Sequence, residues 1–381
     1  MCPCFWFFGQ KVLLMIVPVR SRQYWKDFDW LLLVAAILLS TISVIEIYSA
    51  TMAQGAATYS LRQLAWVGVG LVFVFIVAAL DYHLISEHIP WLYMLGIGAL
   101  LYTLLLGHRV SGSKSWVGFG SVGIQPSEFI KMVVVVALAR YLSELRGSKY
   151  MSFAQIVKAC AIAFVPMGLI LLQPDLGTAL TYLPAIAVGL FIRGIRPAVL
   201  VSLVLGFVLI LPVSWLVLKP YQKERILTFL DPERDPLGKG YQVTQSKIAI
   251  GSGGLLGKGV FHGSQNQLGF LPTRHTDFIF SVVGEELGFV GVFATLGLLG
   301  FIIFRSIYNA ATARDNLGLF IVMGVCGIYF FHLIVNVGMV IGFMPTTGIP
   351  LPFLSYGGSS VLTAFIALGL VMSVRRCRYV N

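Results

Sequence analysis

Asp277 closes the tetrapeptide Arg274-His275-Thr276-Asp277 and stands directly before an apolar run that opens at Phe278. A carboxylate so placed lies just outside hydrocarbon, within reach of a substrate carried by a lipid. No serine, cysteine or cluster of metal ligands sits beside it to support a covalent or metal-assisted route. The residue type therefore points to proton abstraction by a general base. An N-cap role for Asp277 is the plainer alternative, but a bare cap requires no His-Thr prelude.

Other polar positions need explaining because ionisable groups are scarce here. Glu128 and Lys131 lie in Gln125-Pro126-Ser127-Glu128-Phe129-Ile130-Lys131 at the start of an apolar run. Pro126 suits the first turn of a helix, and the i,i+3 spacing puts both charges on one face. An ionised side chain deep in a span costs about 2.5–3.5 kcal/mol on insertion scales, so the pair must face protein or water. It reads either as a structural ion pair or as Lys131 meeting an anionic head group while Glu128 orients it. Asp175, in Gln173-Pro174-Asp175-Leu176-Gly177-Thr178, reads as a helix cap or as site architecture. Trp116 is a belt tryptophan or a platform for a sugar ring. Glu285 and Glu286 read as interhelical glue, with His332 or Asn336 as candidate partners. In the segment Pro350 to Ser360, Ser355 or nearby backbone donors could hold a phosphate oxygen.

The elements that must carry these groups follow from composition. The 381 residues are 57% hydrophobic and only 11% charged, against about 25% charged in a soluble domain. Apolar runs of about 20 residues imply transmembrane helices, and their continuity excludes a β-barrel. The fold class is all-α, a polytopic membrane protein with about ten transmembrane helices. The expected spans are 30–50, 62–80, 84–106, 124–145, 153–172, 176–193, 197–218, 278–304, 316–342 and 351–374. One large loop, 219–277, interrupts them. It carries turn signals around Pro232 and Pro236, a helical stretch from Tyr241 to Ile250, and a glycine-rich segment from Gly251 to Gly263. That segment suits a ligand-wrapping loop or a compact cap.

An even number of spans puts both termini on one side. With that side cytoplasmic, the tails, short inner loops and span ends collect fifteen Lys/Arg against three in the short outer segments, which orients the chain and places 219–277 outside. The net charge of +11 is mostly this signal plus the outer loop. No basic stripe is interleaved with stacking aromatics, so nucleic-acid binding is not expected. Cys2, Cys4, Cys160, Cys326 and Cys377 avoid the outer loops, so no structural disulfide is expected, and no metal site follows from their spacing. Residues 1–28 form a cytoplasmic or interfacial segment. Its stretch 5–18 does not read as a signal peptide, and Met15 is an alternative start.

Four separated motifs resemble those of the SEDS family (shape, elongation, division, sporulation). They are Gln125 to Glu128, Gln173 to Thr178, His275 to Phe280 with Gly284 to Gly288, and Pro350 to Ser359. The resemblance runs in order over about 29–375, a single membrane domain. Residues 245–254 and 263–268 are similar to the rod-shape branch, where the division-type branch usually differs. One departure is Thr273, where relatives often carry Glu.

The resemblance implies a peptidoglycan glycosyltransferase of the cell membrane, used in elongation and rod shape. It would polymerise lipid II outside the membrane beside a class B penicillin-binding protein and other elongation-complex membrane proteins. By the same resemblance Asp277 is catalytic, and Trp116, Glu128 and Lys131 belong to the site. Conversion of an α-linked diphosphate into a β-1,4 link fits one inverting displacement. This needs one base and cationic help for the diphosphate from Lys131, Arg225 or Arg274, with a divalent cation as a candidate assistant. His275 and Ser355 complete the expected substrate contacts. A lipid II flippase or transporter is the alternative class, with the charges in the spans lining a path. A non-catalytic scaffold is a third reading.

Overall fold

Continuous apolar sequence in a bilayer must satisfy its backbone internally, so the runs fold as helices. The computed structural model describes residues 28–52, 58–110, 113–119, 122–145, 150–199, 201–202, 205–206, 209, 215–216, 220–231, 234–235 and 238–378. Helices α1 (Trp30–Met52), α2 (Thr58–Ala79) and α3 (Tyr82–Leu106) open the bundle. Strands β1 (His108–Val110), β2 (Ser113–Phe119) and β3 (Val122–Ile124) follow, then α4 (Pro126–Glu144) and α5 (Phe153–Leu172). A short α6 (Leu176–Leu180) runs through Thr181 and Tyr182 into α7 (Leu183–Arg193). The long loop 219–277 holds α8 (Pro220–Leu230), α9 (Lys239–Gly253) and α10 (Ser264–Gln267). Helices α11 (Ile279–Glu286), α12 (Gly288–Ala311), α13 (Asn316–Val340) and α14 (Gly358–Arg376) complete the chain.

Among the described residues, eight helices have the length and hydropathy of a membrane span, with α6 and α7 counted as one. They account for eight of the ten expected runs. The run at 124–145 becomes α4, a 19-residue helix about 28 Å long. Its charges keep it below span hydropathy. It packs against α3, α13 and α14 in the interior of the bundle, where Glu128 and Lys131 find protein rather than lipid. The run at 197–218 falls largely outside the described residues, as does the N-terminal segment with Cys2 and Cys4.

Helix ends follow local chemistry. The Asp81 carboxylate accepts from His83 N–H at 2.9 Å to cap α3, and Asp315 accepts from Gly318 N–H at 2.8 Å to cap α13. Ser152 and Gln155 form a capping box on α5. At the end of the bundle that the charge bias assigns to the cytoplasm, buried Asp29 accepts from Arg305 Nε at 3.0 Å, Arg375 at 2.8 Å and Asn309 Nδ2 at 3.0 Å. Two cations that the orientation rule counts are therefore also clasps joining α1, α12 and α14.

Two features depart from the expected spans. Between the expected spans 84–106 and 124–145, where a loop was expected, β1, β2 and β3 form an antiparallel three-stranded sheet in the order β1-β2-β3. The expected eighth span breaks at Leu287, and Gly288 takes φ +64°. The helix of span length begins only at Gly288, so Glu285 and Glu286 end a separate short helix instead of lying two turns inside the span. Periodicity cannot separate such a helix from the span that continues it, because both are apolar.

Candidate active site

The two carboxylates at that break organise the cap formed by the long loop. Glu285 Oε1 accepts from Lys258 Nζ at 2.7 Å and Gln265 N–H at 2.8 Å, and its Oε2 accepts from Asn266 N–H at 3.1 Å. Glu286 accepts from Ser49 Oγ at 2.6 Å, Asn266 Nδ2 at 2.8 Å and Phe261 N–H at 2.8 Å. His332 and Asn336, expected as partners of these acids, are engaged elsewhere. The glycine-rich segment is thus a cap that wraps its own protein's carboxylates. A Cβ at Gly263 would stand 2.8 Å from Glu285 Oε2, so close approach explains glycine there.

Arg274 pins the same cap from below. It is 4% exposed, donates Nε–H to Ala50 O at 2.5 Å, and reaches Asn266 O with its guanidinium. Burial lowers its pKa, and its donors are directed at main-chain carbonyls, so it fixes the loop beneath Asp277. His275 continues the turn. Its ring lies 5.1 Å from Tyr59 and 5.6 Å from Tyr356, and its carbonyl accepts from Tyr356 N–H at 3.0 Å. Burial first, and the Arg274 charge second, push the His275 pKa below its ordinary 6.5. The imidazole is neutral at physiological pH, an aromatic wall rather than a cation.

Asp277 is half-buried at the end of this turn, two residues before α11. Its backbone carbonyl accepts from Asn336 Nδ2 at 3.0 Å, and the same amide donates to Ile349 O at 2.8 Å. Asn336 is fully buried on α13, so one side chain ties the Asp277 turn to the loop after α13. A Cβ placed on Gly348 would stand 3.5 Å from Asp277 Oδ2, which locates the carboxylate against that loop.

One turn earlier on α13, His332 Nδ1 donates to Pro350 O at 2.7 Å. Its Nε2 is then the acceptor for Lys131 Nζ at 3.2 Å. Lys131 also reaches both Glu128 oxygens at 3.1 Å, with the two residues 2% and 4% exposed. A cavity of about 280 Å³ borders this trio, with Pro352, Ser360 and Thr363 on its wall. Lys131 and Asp277 are therefore linked through α13 and residues 349–350.

The remaining expected residues fall around this centre. Asp175 caps α6 by accepting from Thr178 N–H at 3.1 Å, and it accepts from Gln125 Nε2 at 2.8 Å. Gln125 N–H donates to Ser359 Oγ at 2.9 Å, so the four separated motifs meet on one side of the bundle. Ser355 is buried, with its Oγ accepting from Leu351 N–H at 2.8 Å, which gives it a role in shaping the turn into α14. Trp116 lies on β2 against Gly123. Arg225 lines a second cavity with Lys247 and the loop 342–346. Sequence reasoning misassigned His332 and Asn336 and did not single out Gln63, which bonds Ser43 and the Ser355 carbonyl. Their signal was buried polarity in apolar helices, which marks importance without naming a partner.

The FtsW/RodA/SpoVE model of cell cycle proteins matches residues 29–379. The chain belongs to this family. A relative in it, the peptidoglycan glycosyltransferase RodA of Treponema pallidum (strain Nichols), is 37% identical over 92% of this chain and 98% of its own length. A solved structure described as structural coordination of polymerization and crosslinking by a peptidoglycan synthase complex superposes with a TM-score of 0.80. It is 35% identical, covering 93% of this chain and 99% of that one. The rod shape determining protein RodA of Thermus thermophilus superposes with a TM-score of 0.69 at 30% identity, covering 93% and 98%. Both solved structures share this chain's polytopic helical fold.

Proposed function

We propose that this chain polymerises lipid II on the outer face of the cell membrane, with Asp277 as the base that activates the acceptor hydroxyl. It is a peptidoglycan glycosyltransferase of the FtsW/RodA/SpoVE family, acting in cell-wall elongation. The observation that carries the residue assignment is the Asp277 carboxylate, half-buried between the capped turn 274–277 and Gly348, with its backbone fixed by Asn336. A base needs to be held within hydrogen-bond reach of the proton it takes, and this position is held from two sides. Inversion at the sugar carbon then requires one displacement: the acceptor oxygen forms its bond as the diphosphate leaves, and the acceptor proton passes to Asp277.

The chemistry needs charge compensation for the diphosphate. Among the described residues no three His, Cys, Asp or Glu side chains converge as metal ligands. The described residues do not fit an ion held by protein alone. Trp116 remains a proposed sugar platform, and Glu128 and Lys131 a proposed support of the site.

Both termini are placed in the cytoplasm and residues 219–277 outside, on the fifteen-to-three charge bias. Labelling of a single cysteine at Ser264 from the cytoplasmic face only would reverse this orientation. The proposed partner is a class B penicillin-binding protein that docks through its membrane helix, with other elongation proteins beside it. Purified chain, with and without such a transpeptidase, should convert lipid II into glycan strands resolved on a gel, faster in the pair. A folded protein that makes no strands in either preparation would refute the polymerase reading and return weight to transport.

A further inference from the structure

We propose that Glu46 is a proton-binding site: it stays a neutral carboxylic acid inside the bundle, and loss of its proton loosens the cap. Glu46 lies in the last two turns of α1 and is 1% exposed. Among the described residues, neither of its carboxyl oxygens has a hydrogen-bond partner, and none of the ion pairs includes it. The other buried acids are all answered. Asp29 meets Arg305 and Arg375, Glu128 meets Lys131, Glu285 meets Lys258, and Glu286 accepts from Ser49, Asn266 and Phe261. An ionised Glu46 would be a buried charge with nothing to offset it, which a protein interior strongly disfavours. A bound proton removes that charge.

The surroundings add to the demand. Helix α1 packs against α2, α10, α11 and α12. These carry Tyr59 and Arg62 on α2, Glu285 and Glu286 on α11, and Arg305 and Tyr308 on α12, while α10 has no titratable group. Tyr59 stacks with His275 and Tyr356, Arg62 engages Tyr356, and Arg305 lies over Tyr308 beside Asp29 at the other end of α1. Arg274, which holds Ala50 O, is directed at main-chain carbonyls. Glu286 remains, and its charge acts on Glu46. That influence is repulsive, because two neighbouring carboxylates do not both ionise readily.

The path from Glu46 to the cap is short. Ser49 stands three residues on, along the same face of α1, and its hydroxyl donates to Glu286 Oε1 at 2.6 Å. Asn266 Nδ2 donates to the same oxygen at 2.8 Å, and Arg274 reaches Asn266 O. A negative charge appearing on Glu46 would disturb the Glu286 centre and, through Asn266, the turn that ends at Asp277.

The test follows the purified full-length chain in detergent through rising pH, as parent and as Glu46→Gln, which keeps the shape but cannot ionise. A proton held by the folded chain and released by the unfolded one makes stability fall as pH rises. The folding equilibrium of the parent should therefore drop by up to about tenfold per pH unit relative to Glu46→Gln, until the folded chain also gives up the proton. Infrared spectra at neutral pH should show a carboxylic acid C=O stretch in the parent that Glu46→Gln lacks. At alkaline pH the amides of Phe261, Gln265 and Asn266 should exchange faster in the parent than in Glu46→Gln at the same pH. Glu87→Gln, at an exposed position, should match the parent throughout. Glu46→Leu serves as a second neutral variant should the glutamine amide lower folded yield. Equal pH dependence with no acid band between parent and variant overturns the proton site, and equal exchange overturns its link to the cap. Parental stability that rises with added sodium, potassium or magnesium, with Glu46→Gln unresponsive, assigns the carboxylate to a metal cation and overturns the proposal.

Discussion

Asp277→Asn should lower glycan polymerisation about 10²-fold or more while the protein inserts, folds and co-purifies with its transpeptidase. The substitution keeps size and shape but replaces a proton acceptor with an amide. It leaves the described anchor untouched, because Asn336 holds the Asp277 backbone carbonyl and not the carboxylate. Packing loss is also small, since the side chain is only half-buried. The strand-forming assay should therefore report chemistry rather than folding. A folded Asp277→Asn protein that polymerises lipid II at the parental rate would show that the base lies elsewhere and revive the scaffold reading.

The legible part of this protein was the part that periodicity and charge scarcity can encode. Eight apolar runs became helices long and apolar enough to span a membrane, and Pro126 and Asp175 took the helix-start positions their types imply. The residues that fix Asp277 were harder to read for a physical reason. Asn336 and His332 stand out in α13 as polar groups that must be satisfied, but which carbonyls satisfy them depends on how residues 349–350 fold back. Glu285 and Glu286 show the same limit. Their charge demanded partners, and three of these proved to be main-chain amides of a loop about 20 residues upstream, which no side-chain pattern announces. The glycine-rich run left two readings open, and the geometry around Gly263 selects the cap.

Lys131→Met should be severely destabilising, by about 3–5 kcal/mol, because it leaves Glu128 as an uncompensated charge in the bundle interior. The structural case rests on burial: Lys131 is 2% exposed, and its ammonium is directed at both Glu128 oxygens and His332 Nε2. The loss should appear as lower folded yield and a lower melting temperature in detergent. Glu128→Leu on the same background removes the stranded charge, and a buried pair replaced by apolar residues of similar volume is often neutral or stabilising. Lys131→Met with Glu128→Leu should therefore recover most of the lost stability, apart from the unpaired His332 Nε2, worth about 1–3 kcal/mol. A double variant as unstable as Lys131→Met alone would contradict the ion-pair account. Polymerisation by the recovered double variant then separates two roles the single variant confounds. Parental strand synthesis would make the pair a brace for α13 and the Pro350 turn, whereas loss of synthesis in a stable protein would give the Lys131 charge a part in the reaction.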